Sequence, residues 1–147
     1  MTYRLRDHTA DVAVEATADS LAAVFADVAA GLTAAMCEDP PAGGDRFTME
    51  IAAESGEAAL FDYLDRLIYE RDVRGVLPVD HDCRVRPAAT DDRGDDPGHD
   101  DTWVVEASAR GVPLREVTAR DVKAVTYSEM VLEQRGGEWY AYVVFDV

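Results

Sequence analysis

The C-terminal stretch constrains the fold most. Trp139, Ala141, Val143 and Phe145 alternate with Tyr140, Tyr142 and Val144. Successive side chains on a strand point to opposite faces, so this segment is apolar on both. That pattern suits a central strand, covered on each side, better than an edge. Gly136-Gly137, just before it, is a strong hairpin signal, because the favoured two-residue turns need positive φ. Residues 123–126 and 130–134 read as extended segments leading into that turn.

The rest of the chain supplies partners for this strand. Residues 3–6 form a short strand candidate, and Val12, Val14 and Ala16 alternate through 11–16. Asp19 or Ser20 can cap a helix over about residues 20–36. Leu21, Val24, Phe25, Val28, Leu32 and Met36 make its apolar stripe, in which Gly31 either weakens the helix or permits close packing. Residues 38–45 are a loop, with Pro40-Pro41 and Gly43-Gly44. Phe47, Met49 and Ile51 alternate as a strand. Residues 57–71 form a second helix, with Leu60, Phe61, Leu64, Leu67 and Ile68 on one face. Residues 77–86 read as a strand whose Pro78 places its start at an edge or a bend.

Residues 88–101 hold six aspartates and read as a solvated loop. A strand is expected at 102–109. Segment 110–121 stays open between a turn at Gly111 and Pro113, a short helix and an extended link. The order is strands, helix, strand, helix, strands, without a βαβ series. It predicts an α+β fold, two helices packed on a mixed or antiparallel sheet, in a single domain over residues 1–147.

Charge narrows the classes of function. With 30 acidic residues against 14 lysines and arginines, the net charge of -16 exceeds what solubility requires. Dense carboxylates repel, and salt screens that repulsion, so the composition fits a salty cytoplasm. A nucleic-acid binder shows a basic stripe, whereas the arginines here are scattered among acids. No strong direct nucleic-acid binding is expected, and none to membranes: no apolar run reaches spanning length. No signal peptide is legible either, so a cytoplasmic protein is expected. Cys37 and Cys83 lack metal-ligand spacing and read as two buried thiols rather than a disulfide.

Lys123 is the one lysine, beside 13 arginines. A cation site served by either residue would have drifted to arginine here, so Lys123 is a candidate phosphate contact; its bland alternative is a surface salt bridge. Asp7-His8-Thr9-Ala10-Asp11 is rich in oxygen donors, although Asp7 and His8 also suit a turn cap. Asp146 joins Asp11 if the last strand lies beside the first ones, and the Val147 carbonyl or terminal carboxylate adds a hard oxygen. Such a set suits calcium, magnesium or manganese. His8, His81 and His99 share no zinc spacing. Phosphate-loop and nucleophile-elbow motifs are absent. Tyr127, Trp139, Tyr140 and Tyr142 offer either a stacking platform or cross-strand packing.

Three pieces together resemble the archease family: Asp7-His8-Thr9-Ala10-Asp11-Val12, the helix opening Ser20-Leu21-Ala22-Ala23-Val24-Phe25, and Val122-Lys123-Ala124-Val125-Thr126-Tyr127 followed by Phe145-Asp146-Val147. Their order and separation match too, and the likeness spans nearly the whole chain except the acidic loop. The resemblance implies an α+β sandwich that activates the RtcB-type RNA ligase of tRNA splicing. It promotes guanylylation of the ligase by GTP and multiple turnover, and is not itself an enzyme. It further implies a divalent-metal site at Asp11, Asp146 and the main chain or terminus of Val147, with calcium first, and a functional lysine at Lys123. The chain departs from the family pattern at Ser128, where histidine often follows the Thr-Tyr pair. Two other classes compete: a stand-alone metal-dependent phosphohydrolase, and a chaperone or protein-interaction module.

Overall fold

The computed structural model describes residues 3–7, 11–87 and 102–147, with the backbone alone for 4–7. His8, His99 and the acidic 88–101 loop lie outside the described residues.

Helix α1 (Leu21–Met36) fixes the layering. Asp27 is its one charged residue, and side chains are buried round most of its circumference, from Val24 and Phe25 to Ala29 and Leu32. A helix apolar on all sides belongs in the middle of a protein. Accordingly, α1 packs against strand β2 (Asp11–Ala18) on one side and strand β4 (Val76–Pro87) on the other. Ser20 caps it, accepting from the Ala23 amide at 3.1 Å. Gly31 is a packing glycine, because a Cβ there would lie 2.4 Å from Val14 Cγ1. Helix α2 (Gly56–Arg74) is amphipathic. It lies between β3 (Asp45–Ala53) and β6 (Ala124–Arg135), starts at the Ser55 cap and ends at Gly75, whose φ of 65° closes it in the left-handed region.

Two antiparallel sheets enclose these helices. One has the order β1-β2-β7-β6, with β1 at Tyr3–Asp7 and β7 at Glu138–Asp146. The other has the order β3-β5-β4, with β5 at Trp103–Pro113. The expected central strand is β7, buried at Ala141, Val143, Val144 and Phe145. Gly136 and Gly137 turn the β6–β7 hairpin at φ 57° and 88°. The α+β class holds, with the helices forming a middle layer between two sheets rather than covering one, and every strand pair is antiparallel.

Local departures have physical causes. Segment 110–121 divides: β5 runs on to Pro113, Leu114–Glu116 is a short 3-10 turn, and the remainder is extended. The two extended pieces before the hairpin form one strand, β6, interrupted where residues 127–130 face only Val143. Glu129, at φ 61°, sits inside that bulge. Pro78 does lie on an edge strand, β4. Both thiols are free but only partly buried, so neither matches the expected buried cysteine.

Candidate functional site at one end of the four-stranded sheet

Strand register brings distant residues together. Asp11 of β2 lies directly opposite Asp146 of β7, and Ala124 of β6 lies opposite Asp146 on its other side. The Lys123 amide, one residue earlier, donates to the Asp146 carbonyl at 2.8 Å. Asp11, Asp146 and Lys123 therefore share one end of the sheet. Asp11 is half-buried, while Asp146 and Lys123 are exposed. Alternation along β2 and β7 turns Val12 and Phe145 into the core, which leaves Asp11 and Asp146 on the opposite face. Like charges directly opposed weaken a ladder. Val147 follows, half-buried against the rim of the core. Asp7 is opposite Val12, not Asp11, so register does not add it to the pair.

The link before Lys123 is anchored from both helices. The Arg120 amide donates to the Met36 carbonyl at 2.7 Å, at the end of α1. Arg71 of α2 donates from Nη1 to the Val122 carbonyl at 2.7 Å, and Val122 itself is fully buried. The Arg71 guanidinium also pairs with Asp72 at 3.0 Å and Asp121 at 3.5 Å. Sequence reasoning passed over Arg71. Its signal was there: 60, 64, 67 and 71 have the spacing of one buried stripe, and the last is an arginine. A groove of about 580 Å³ opens alongside, lined by Val12, Met36, Cys37, Thr118 and Arg120.

A hard divalent cation fits this donor set in kind. Opposed carboxylates supply oxygens, and main-chain oxygen at Val147 is within the same strand end. Among the described residues no group of three or more histidine, cysteine or acidic side chains converges. Calcium takes about six to eight oxygens, so water or a partner's oxygens would complete its shell.

The far end of the same strands differs. Tyr140 donates to Glu15 Oε2 at 2.8 Å, and the Arg135 guanidinium lies 3.7 Å from the Tyr140 ring centroid. Arg135 also pairs with Glu133. Burial first, then Glu15, pushes the Tyr140 hydroxyl up to about 12. Tyr140, Tyr142 and Trp139 are half-buried, whereas Tyr127 is exposed and stacks on Phe61.

His81 is a structural histidine. A bulge between Val79 and Asp82 puts Asp80 at φ 52° and turns His81 inward. Its Nε2 lies 2.7 Å from Thr33 Oγ1, and that hydroxyl lies 2.8 Å from the Pro78 carbonyl. Since the hydroxyl proton goes to the carbonyl, Nε2 carries the histidine proton. Burial lowers the imidazole to about 4. It also pushes the Cys83 thiol up to about 12, so that sulfur stays protonated.

Together these features define a β–α–β layered sandwich whose first and last long strands meet at an acidic end beside a lone lysine. Residues 3–147 match the Archease protein family (MTH1598/TM1083), and the chain belongs to that family. It is 29% identical over 152 residues to "Protein archease" of Methanopyrus kandleri, with all of both chains covered. With "Protein archease" of Thermococcus gammatolerans it shares 30% over 149 residues, covering 96% of this chain and 95% of the relative. The solution structure of Methanobacterium thermoautotrophicum protein 1598 superposes with a TM-score of 0.76 at 26% identity, covering 99% and 98% of the two chains. A Thermotoga maritima crystal structure, described as an archease and possible chaperone, shares the fold at TM-score 0.58 and 19% identity, over 100% and 98%. No helix among the described residues is long and apolar enough to cross a membrane.

Proposed function

We propose that this protein activates the RtcB-type RNA ligase of tRNA splicing, promoting its guanylylation by GTP without itself catalysing ligation. The observation that carries this reading is the meeting of Asp11, Asp146 and Lys123 at one sheet end, from three separate parts of the chain. Asp11, Asp146 and main-chain oxygen at Val147 would hold a divalent cation, calcium first, with magnesium or manganese as alternatives. Bound there, the cation would neutralise the opposed carboxylates and polarise phosphate oxygens. Lys123 stands beside them as a point charge for a phosphate. Arg71 and the Asp146 carbonyl hold its backbone, so the ammonium extends from a fixed base toward the ligase. The acidic surface favours action on a protein partner over direct capture of RNA, and its charge density fits a salty cytoplasm.

The test is covalent guanylate on the ligase of the same organism, followed over time with GTP and divalent metal at high salt. Faster guanylylation with this protein present is expected. No acceleration at substoichiometric or excess protein, with both proteins folded, overturns the proposal.

A further inference from the structure

Helix α2 carries apolar side chains on the face turned away from the core. Tyr69 and Val73, one turn apart, are 57% and 62% exposed. About two turns earlier on the same helix, Tyr127 reaches over from the β6 bulge and stacks on Phe61, with ring centroids 4.0 Å apart and planes 4° apart. Tyr127 is still 55% exposed, so its outer face is open. Stacking fixes this ring in place, and a preformed aromatic surface loses little freedom on binding. Asp62 and Asp65 share this side of the helix with Tyr69, and the one arginine among them, Arg66, is paired with Glu70 at 2.7 Å. Burial and then Asp65 raise the Asp62 carboxyl, and burial and then Asp62 raise the Tyr127 hydroxyl, so Asp62 is the acid that faces the aromatic pair.

We infer that this aromatic, acid-rimmed face of α2 is the surface by which the protein docks on its ligase, against an apolar patch rimmed by arginine or lysine. The inference rests on the activator reading above. Charge decides the occupant. A second copy using the same face would set Asp62 and Asp65 against their own equivalents, since a two-fold interface opposes each patch to itself. Nucleic-acid phosphates meet the same repulsion. A basic-rimmed protein surface gains from it, with exposed tyrosines as the anchoring contacts. Position agrees. Residues 124 to 135 form β6, which begins beside Lys123 and carries Tyr127, and Arg71 of α2 holds the Val122 carbonyl. A ligase seated on this face lies next to the Asp11–Asp146–Lys123 end.

The experiment measures ligase guanylylation against increasing concentration of wild type, the double variant Tyr69→Ser/Val73→Ser, Asp62→Lys and Lys123→Ala. Tyr69, Val73 and Asp62 lie outside the core, and circular dichroism checks each variant's fold. The double variant and Asp62→Lys are expected to raise the half-saturating concentration about tenfold or more and to leave the plateau rate unchanged. Lys123→Ala is expected to lower the plateau. Wild-type half-saturation in both surface variants overturns the docking surface while leaving the activator reading intact. If wild type itself fails to accelerate guanylylation, the activator reading falls and the docking surface with it.

Discussion

The β2–β7 ladder treats its carboxylates differently at its two ends. At one, Glu15 accepts from Tyr140, whose ring lies under Arg135, so charge is matched within the chain. At the other, register sets Asp11 opposite Asp146. Cross-strand pairs of the first kind support a sheet and those of the second weaken it. One end of the sheet therefore sets a carboxylate against a phenol and a guanidinium, and the other sets two carboxylates in register. On the reading proposed above, a cation and a partner offset the repulsion at the second.

The sharpest way to break this comparison is to neutralise the opposed acids. Asp11→Asn and Asp146→Asn are each expected to lower the guanylylation plateau about a hundredfold, the scale for losing one charge-stabilising group. Wild type should also melt at higher temperature with calcium, by mass action, and both variants should lose that rise. An unchanged calcium response in both would remove the metal from the account.

Arg71→Met comes next. It leaves the buried Val122 carbonyl without its donor and is expected to cost about 2–3 kcal/mol in denaturant unfolding. It should also weaken stimulation, because Lys123 follows the loosened residue, while Tyr140 titrates as before. Wild-type stability would show that the link is held by other contacts.

A smaller effect tests the inner layer. His81 is lowered to about 4 in the folded chain against an ordinary 6.5. The unfolded chain therefore binds the proton first as pH falls, and stability is lost from about pH 6.5 downward. The expected loss is about 2 kcal/mol between pH 7 and pH 5. His81→Gln should remove this part of the slope, and an unchanged slope would contradict the buried neutral imidazole.

Much of the architecture was legible because it rests on local pattern. Gly136-Gly137 and the two-faced β7 placed the hairpin and the central strand. Spacing of Val24, Phe25, Val28 and Leu32 placed α1, and Ser20 its start. Register was not legible. Nothing local says that Asp11 meets Asp146; the antiparallel pairing of β2 with β7 decides it. The β6 bulge was hidden because Glu129 takes a positive φ without being glycine. The continuation of β5 was hidden for the converse reason. Gly111 looks like a turn, yet it serves close approach, since a Cβ there would lie 2.9 Å from Val76 Cγ2. Candidate site residues were legible through resemblance and through the rarity of lysine. Arg71 was not, because a buried arginine at the end of an apolar stripe reads as the helix leaving the core.

The smallest expected change is at the matched end. Glu15→Gln removes the charge that helps hold Tyr140 at about 12, so the phenol should titrate lower in absorbance. The cost in stability should be about 1 kcal/mol or less. An unmoved titration would mean that burial alone sets the Tyr140 value.

The most direct test of the central claim sets the two ends against each other in one assay. Ligase guanylylation at saturating protein is measured with Lys123→Ala from the opposed end and Arg135→Ala from the matched end. The account predicts that Lys123→Ala loses most of the stimulation and Arg135→Ala keeps it. Full stimulation by Lys123→Ala, or its loss in a folded Arg135→Ala, would contradict the account.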